Sequence, residues 1–215
     1  MSRGNVLLLG FTVPDAVWQR LLVIDPCPAV QTHKFAWSLA RALRSAFKSV
    51  TLLSAYPVQN YPAASQFLFR RAAFCEQGVD GFCMGFLNVL GLKHFTRFVS
   101  CLLLMPSIVR RRRIDWVIVH GVHSPFLAAG ILSRLLGARF AVVLTDLPSL
   151  VLPLDGLLTR QLKRIDRALV GLLLRQADAV FCLAPGMVSH FGIRRPALVL
   201  PGILSSEFVA LVERE

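Results

Sequence analysis

The chain has 215 residues, of which 55% are hydrophobic and 17% charged, against a usual charged share of about 25%. That composition excludes a fibrous, collagen-like or disordered protein, and leaves one large domain or at most two small ones with a sizeable core. The formal net charge is +12, which asks for an anionic partner.

Residues 1–11 hold one Arg and a short apolar run, but Pro14 and Asp15 follow where a signal peptide would stay apolar. The start therefore reads as a first strand. Apolar runs without alternation recur at residues 6–9, 50–53, 116–119, 140–144, 179–183 and 197–200, as strands covered on both faces do. Segments of helical period lie between them. This order predicts a single α/β domain: a doubly wound, mainly parallel Rossmann-like sheet with helices on both faces.

The first helix is predicted over 33–48. Phe35, Leu39, Leu43 and Phe47 form its apolar stripe, and Lys34, Arg41, Arg44 and Lys48 share an outer face without an acidic residue. That face is either solvated or seated on anionic lipid. Residues 54–91 are rich in aromatics, Pro and Gly and have no clear period. The longest apolar stretch, 82–109, is broken by Lys93, His94 and Arg97, and its unbroken part, 98–109, is shorter than the roughly 20 residues of a spanning helix. No transmembrane segment is expected. A helix over about 93–113 aligns Phe95, Phe98, Leu102 and Met105 on one side and ends in Arg110, Arg111, Arg112 and Arg113. These arginines suit helix capping and lipid phosphates equally. Over 158–176, Leu158, Leu162, Ile165, Leu169, Leu172 and Leu173 share one side opposite Arg160, Lys163, Arg164 and Arg167, which predicts a helix docked on a sheet.

The charge is uneven: 14 basic against 4 acidic residues over 1–114, a balance of +10, but 10 against 8 over 115–215, or +2. Zinc-finger spacing and RNA-binding aromatic motifs are absent, so an anionic membrane surface is expected as partner and nucleic acid is not. The aromatic residues Phe67, Phe69 and Phe74 are candidates for insertion into it. Cys27, Cys75, Cys83, Cys101 and Cys182 are odd in number and form no C-x-x-C pair, as buried thiols of a reducing cytoplasm do.

Ligands of an open parallel sheet bind beyond the carboxyl ends of its strands. There the sequence places Thr12, then His120 and His123, then Thr145 and Asp146, and a turn at Pro185 and Gly186. His120 closes a strand or faces the crevice; His123 caps the next helix or does the same; Asp146 is a turn residue or orients an acceptor. No G-x-G-x-x-G, G-x-x-x-x-G-K or G-x-S-x-G motif occurs, which disfavours a dinucleotide enzyme, a P-loop enzyme and a serine hydrolase.

These features resemble a family. The long segment 11–32 leading into His33-Lys34-Phe35, the strand at 115–120, the stretch ending Thr145-Asp146-Leu147-Pro148, the segment Gln176-Ala177-Asp178 and the ending Leu200-Pro201-Gly202-Ile203 follow in the order seen in the amino-terminal domain of GT-B, family 4-like glycosyltransferases that build bacterial surface polysaccharides. The resemblance implies that residues 1–203 form the acceptor-side domain and 204–215 the start of an interdomain linker, with the second, nucleotide-sugar-binding domain missing from this chain. It implies sugar transfer from a nucleotide-sugar donor to a lipid-linked or glycan acceptor with retention. It gives Asp146 the catalytic place, and acceptor contacts to Gln31, Thr32, His120, His123 and Thr145. No cofactor is expected, and no metal, since D-x-D is absent. The expected location is cytoplasmic, peripheral on the inner face of the cell membrane. The basic residues of 34–48 and 110–113 would hold it there. The other reading is a noncatalytic membrane-surface scaffold with the same fold.

Overall fold

In the computed structural model each continuous apolar run becomes a strand, buried along 6–9, 50–53, 117–119 and 140–144 and exposed along 197–199. The structure describes residues 4–27, 30–145, 156–193 and 196–199, without the side chains of 30–32. In chain order the elements are β1 (Asn5–Gly10), α1 (Asp15–Ile24), α2 (Val30–Ala46), β2 (Ser49–Ser54), β3 (Leu68–Phe69), β4 (Ala72–Glu76), β5 (Val79–Cys83), β6 (Phe86–Leu87) and α3 (Leu92–Arg111). Then follow β7 (Trp116–His120), α4 (Ser124–Leu135), β8 (Arg139–Leu144), α5 (Leu157–Leu174), β9 (Ala179–Cys182), α6 (Pro185–His190) and β10 (Ala197–Val199).

Eight strands form one sheet in the order β10-β9-β8-β7-β1-β2-β5-β4, parallel throughout except that β4 runs antiparallel to β5. A small antiparallel pair, β3 and β6, stands apart. One face carries Leu7, Leu9, Val117, Val119 and Val142 against α1, α3, α4 and α5. The other carries Val6, Leu8, Leu52 and Ile118 against α2. The expected doubly wound sheet is thus present, and the order of the strands reverses at the junction of β1 and β7. Two glycines bring these strand ends close together. A Cβ on Gly10 would lie 2.4 Å from the His120 carbonyl oxygen. One on Gly121, which has a left-handed φ of 85°, would strike the Phe11 ring.

The structure corrects two helix faces. On α3 the stripe Phe95, Phe98, Leu102 is not the buried one: Phe95 is exposed, and the packed face holds Lys93, Arg97, Cys101, Leu104, Met105 and Ile108. On α5 only Val170 and Leu174 are buried, while Leu158, Ile165, Leu169 and Leu172 face outward. Period tells which residues share a face and leaves open what covers it. By length and composition α3 is a candidate membrane span, but its two inward cations bond carbonyl groups of this domain, as described below.

Segment 54–91, which had no readable period, supplies β3 to β6. Its β4–β5 hairpin turns at Gln77 and Gly78, both with positive φ (51° and 70°), the twist that suits a two-residue hairpin. Residues 15–24, read as part of a long loop, form α1.

Candidate functional site

A cavity of about 440 Å³ opens beside the junction of β1 and β7, where an open α/β sheet takes its ligands. Phe11, just after β1, and His123, three residues after β7, form one wall; Lys93, His94 and Arg97 of α3 form another, and Asp25 and the segment 57–60 close it. Lys93 and Arg97 are only 6% and 4% exposed. Being four residues apart on one helix, they point the same way.

Their partners are carbonyl oxygens, not carboxylates. Lys93 Nζ donates to the Val58 carbonyl, and Arg97 Nη2 donates to the Tyr56 carbonyl at 2.8 Å. The guanidinium also lies over the Phe86 ring at 4.3 Å and the Phe11 ring at 5.4 Å, a favourable arrangement for a desolvated cation. Arg97 Nε has no partner, and no carboxylate among the described residues comes within 4.0 Å of either cation. Burial pushes the Lys93 ammonium down to about 7, with the Arg97 charge adding to the effect and the Asp25 charge opposing it. Asp25 is 1% exposed and fully engaged: its Oδ2 accepts from the Gln59 backbone N–H at 2.7 Å, and its Oδ1 from Cys27 N–H at 3.0 Å and Gln59 Nε2 at 3.2 Å.

His94 and His123 face each other with ring centroids 5.6 Å apart, and Phe11 meets His123 edge-on at 5.5 Å. Burial lowers His123 to about 3, helped by the neighbouring cations, and lowers His94 as well. Both rings are neutral at neutral pH. His123 Nδ1 has no hydrogen-bond partner. The residue stands at the N-cap of α4 without capping through its side chain. Asp166 of α5 does that work, accepting from Ser124 N at 3.2 Å and Ser124 Oγ at 2.5 Å. Beyond His94 and His123, which belong to both, a second cavity of about 430 Å³ runs between the start of α3 and α5, past Leu90, Leu162, Ile165 and Leu169.

Of the residues singled out by sequence, His123 lines both cavities. His120 faces the other side of the sheet, 1% exposed, stacked on Phe35 at 5.0 Å with Nδ1 unpartnered, and burial lowers it to about 4. Thr145 stands half-buried just past β8. Gln31 and Thr32 belong to the first turn of α2, but their side chains lie outside the described residues, as does Asp146. Lys34, Arg41 and Arg44 are exposed on α2 and Lys48 is exposed just beyond its end; Arg44 Nη1 donates to the Gln77 carbonyl. Arg110, Arg111 and Arg113 are exposed, and Arg112 pairs with Asp80 at 3.0 Å. Insertion through Phe69 and Phe74 fails: Phe69 is 3% exposed, stacked on Phe86, and Phe74 packs across the hairpin onto Gly81. Phe67 alone of the three is exposed. Lys93, Arg97, His94 and Asp25 were not among the sequence candidates. No group of three or more His, Cys, Asp or Glu among the described residues is placed to hold a metal ion.

Residues 32–201 match the family described as the glycosyl transferase 4-like domain. The chain belongs to that family. No curated protein matches it in sequence. Among solved structures, the fold is similar to that of UGT2 from Phytolacca americana complexed with UDP-2fluoro-glucose and pterostilbene. The TM-score is 0.53 and the identity 14%, over 100% of this chain and 58% of that one. The apo form of the same protein gives a TM-score of 0.54 at 13% identity, over 98% and 55%. The MnaA–UDP structure from S. aureus gives 0.49 at 15% identity, over 91% and 44%. The chain spans about half the length of these structures. The cavity of this glycosyltransferase-like domain therefore lies on the half of a GT-B fold that the chain covers.

Proposed function

We propose that this chain supplies the acceptor-binding half of a retaining glycosyltransferase that moves a sugar from a nucleotide-sugar donor to a lipid-linked or glycan acceptor. The donor is assigned to a second Rossmann-like domain, in a longer form of the protein or in a partner chain. The observation that carries the reading is a preformed cavity at the β1–β7 junction, lined by two buried cations and the His94–His123 pair, in a chain of the glycosyl transferase 4-like family. His123 contacts the acceptor, and Asp146, directly after Thr145, orients it. The UDP-sugar analogue in the Phytolacca structure supports a nucleotide-sugar donor.

The protein is further proposed to sit on the inner face of the cell membrane, held by basic residues. A noncatalytic scaffold is the competing reading, favoured by the outward apolar faces of α3 and α5. To separate the two, membranes from cells carrying the intact gene or His123→Ala are incubated with labelled nucleotide sugars. We expect labelled glycan in the first and at least a tenfold loss in the second. Unchanged labelling refutes a role for the cavity in transfer, and a scaffold would keep its membrane attachment without any labelled product in either.

A further inference from the structure

The two cavities have opposite chemistry and a common wall. The first has a cationic floor, Lys93 and Arg97, held by carbonyl oxygens and aromatic faces rather than by carboxylates. Leaving two charges buried without counter-ions costs several kcal/mol each in general terms. Tethering the segment 56–58 to α3 would not require two charges, since neutral donors also bond carbonyls. Arg97 in addition keeps its buried Nε unpaired. Immediately past His94 and His123 the second lining brings in Leu90, Leu162, Ile165 and Leu169, with Lys163 and Asp166 of α5 beside them.

We propose that Lys93 and Arg97 form a binding site for the phosphate or diphosphate group of an amphiphile whose apolar chain lies in the groove between α3 and α5. Charge complementarity selects the head, because the floor offers ammonium and guanidinium donors and the nearest carboxylate, Asp25, spends both its oxygens on Gln59 and Cys27. The order of the two compartments selects the tail. A bare phosphate would satisfy the floor and leave the groove empty, whereas a neutral lipid would leave the cations unpaired. That the amphiphile is the sugar acceptor rests on the transferase reading above; the site itself does not.

The test uses the whole chain and three probes: inorganic pyrophosphate, farnesyl diphosphate and farnesol, measured by calorimetry. Farnesyl diphosphate is expected to bind at least tenfold more tightly than either fragment. Lys93→Met should weaken both diphosphates at least tenfold, Lys93→Arg should restore them, and Ile165→Glu, at an exposed position, should weaken farnesyl diphosphate alone. Should the Met variant not fold, the rate of reductive methylation of the wild-type chain, with and without pyrophosphate, reads the same contact: Lys93, already slow because it is buried, should slow at least tenfold further at saturating pyrophosphate, while Lys34 and Lys48 keep their rates. Unprotected Lys93, or diphosphate binding equal in wild type and Lys93→Met, overturns the site. Farnesyl diphosphate binding untouched by Ile165→Glu overturns the placing of the tail. No donor is present in these measurements. Retained binding without sugar transfer in membranes would refute the transferase reading only, and transfer with unprotected Lys93 would refute this site only.

Discussion

Lys93 carries its proton less firmly in the folded chain than in the unfolded one. Burial brings it to about 7 from an ordinary value of 10.5. Between those limits the unfolded chain binds a proton that the folded chain lacks, so the unfolding free energy rises with pH. The upper part of the window is closed by Cys83 and Cys101, which burial raises to about 12; their unfolded thiols ionise from about 8.5 upward and pull stability the other way. From about pH 7 to about pH 8.5, urea unfolding should thus show a gain approaching about 1 kcal/mol per pH unit. In Lys93→Met the gain above about pH 7.5 should vanish, leaving only the histidine contribution just above pH 7. A gain that survives above that point in the variant would mean that another group carries it. On the acid side, His120 and His123 are lowered to about 4 and about 3, so stability is lost as pH falls below their ordinary value of 6.5. The sequence holds Lys93 and Arg97 in plain view as charges that break an apolar stretch, and their spacing puts them on one helix face. That this face turns inward was not readable, because the carbonyls that receive them come from Tyr56 and Val58, in a segment without period.

At the level of elements, Asp166 joins α5 to α4 by accepting from the first backbone N–H of α4. Asp166→Ala should lower stability by about 1–2 kcal/mol, with Asp166→Asn intermediate, as thermal unfolding will read. An equal loss in both variants would mean that charge rather than capping is what counts. Sequence offered the adjacent His123 either as the cap of this helix or as a crevice residue, and the capping carboxylate instead lies 42 residues from Ser124 in sequence. Strands β1, β2, β7 and β8 were legible for a plain reason: each holds a continuous mostly apolar run, and burial on both faces demands that; β10 carries the same kind of run with its residues exposed. Pieces such as β3 and β6, two residues each, give no run to read. The outward stripe of α5 shows the same limit from the other side, since its amphipathic pattern is real and its covering is not supplied by the sheet.

Across the whole molecule, α2 and α3 cover opposite faces of the sheet, and their basic ends meet at one edge, where Lys48 N–H bonds the Gly4 carbonyl and Asn5 bonds the Arg112 and Arg113 carbonyls. At 100° per residue, Leu92, Val99, Leu103 and Arg110 fall on one side of α3, and each is exposed. That side joins apolar contact to charge, as an interfacial helix does. In liposome sedimentation with anionic lipid, the set Leu103→Gln, Arg110→Gln, Arg111→Gln should weaken binding more than Lys34→Gln, Arg41→Gln, Arg44→Gln, Lys48→Gln. Salt should weaken what remains, since exposed charges are screened within about 10 Å at 0.1 M. Binding indifferent to lipid charge would end the proposal of basic attachment.

The central strand β1 has a neighbour 44 residues on, where Asn5 faces Ser49, and another reached only at Trp116, with Asn5 bonded to Asp115 across a separation of 110 residues. A ribosome adding roughly 5–20 residues per second makes that second neighbour about 5–20 s after the first strand has emerged. Through that interval the nascent chain holds a fully apolar strand with one hydrogen-bonding edge open, the kind of edge on which other chains pair. The closing of the cavity, which needs both β1 and β7 in place, therefore waits until the chain has grown past His120, and until then one half of the sheet stands without the other.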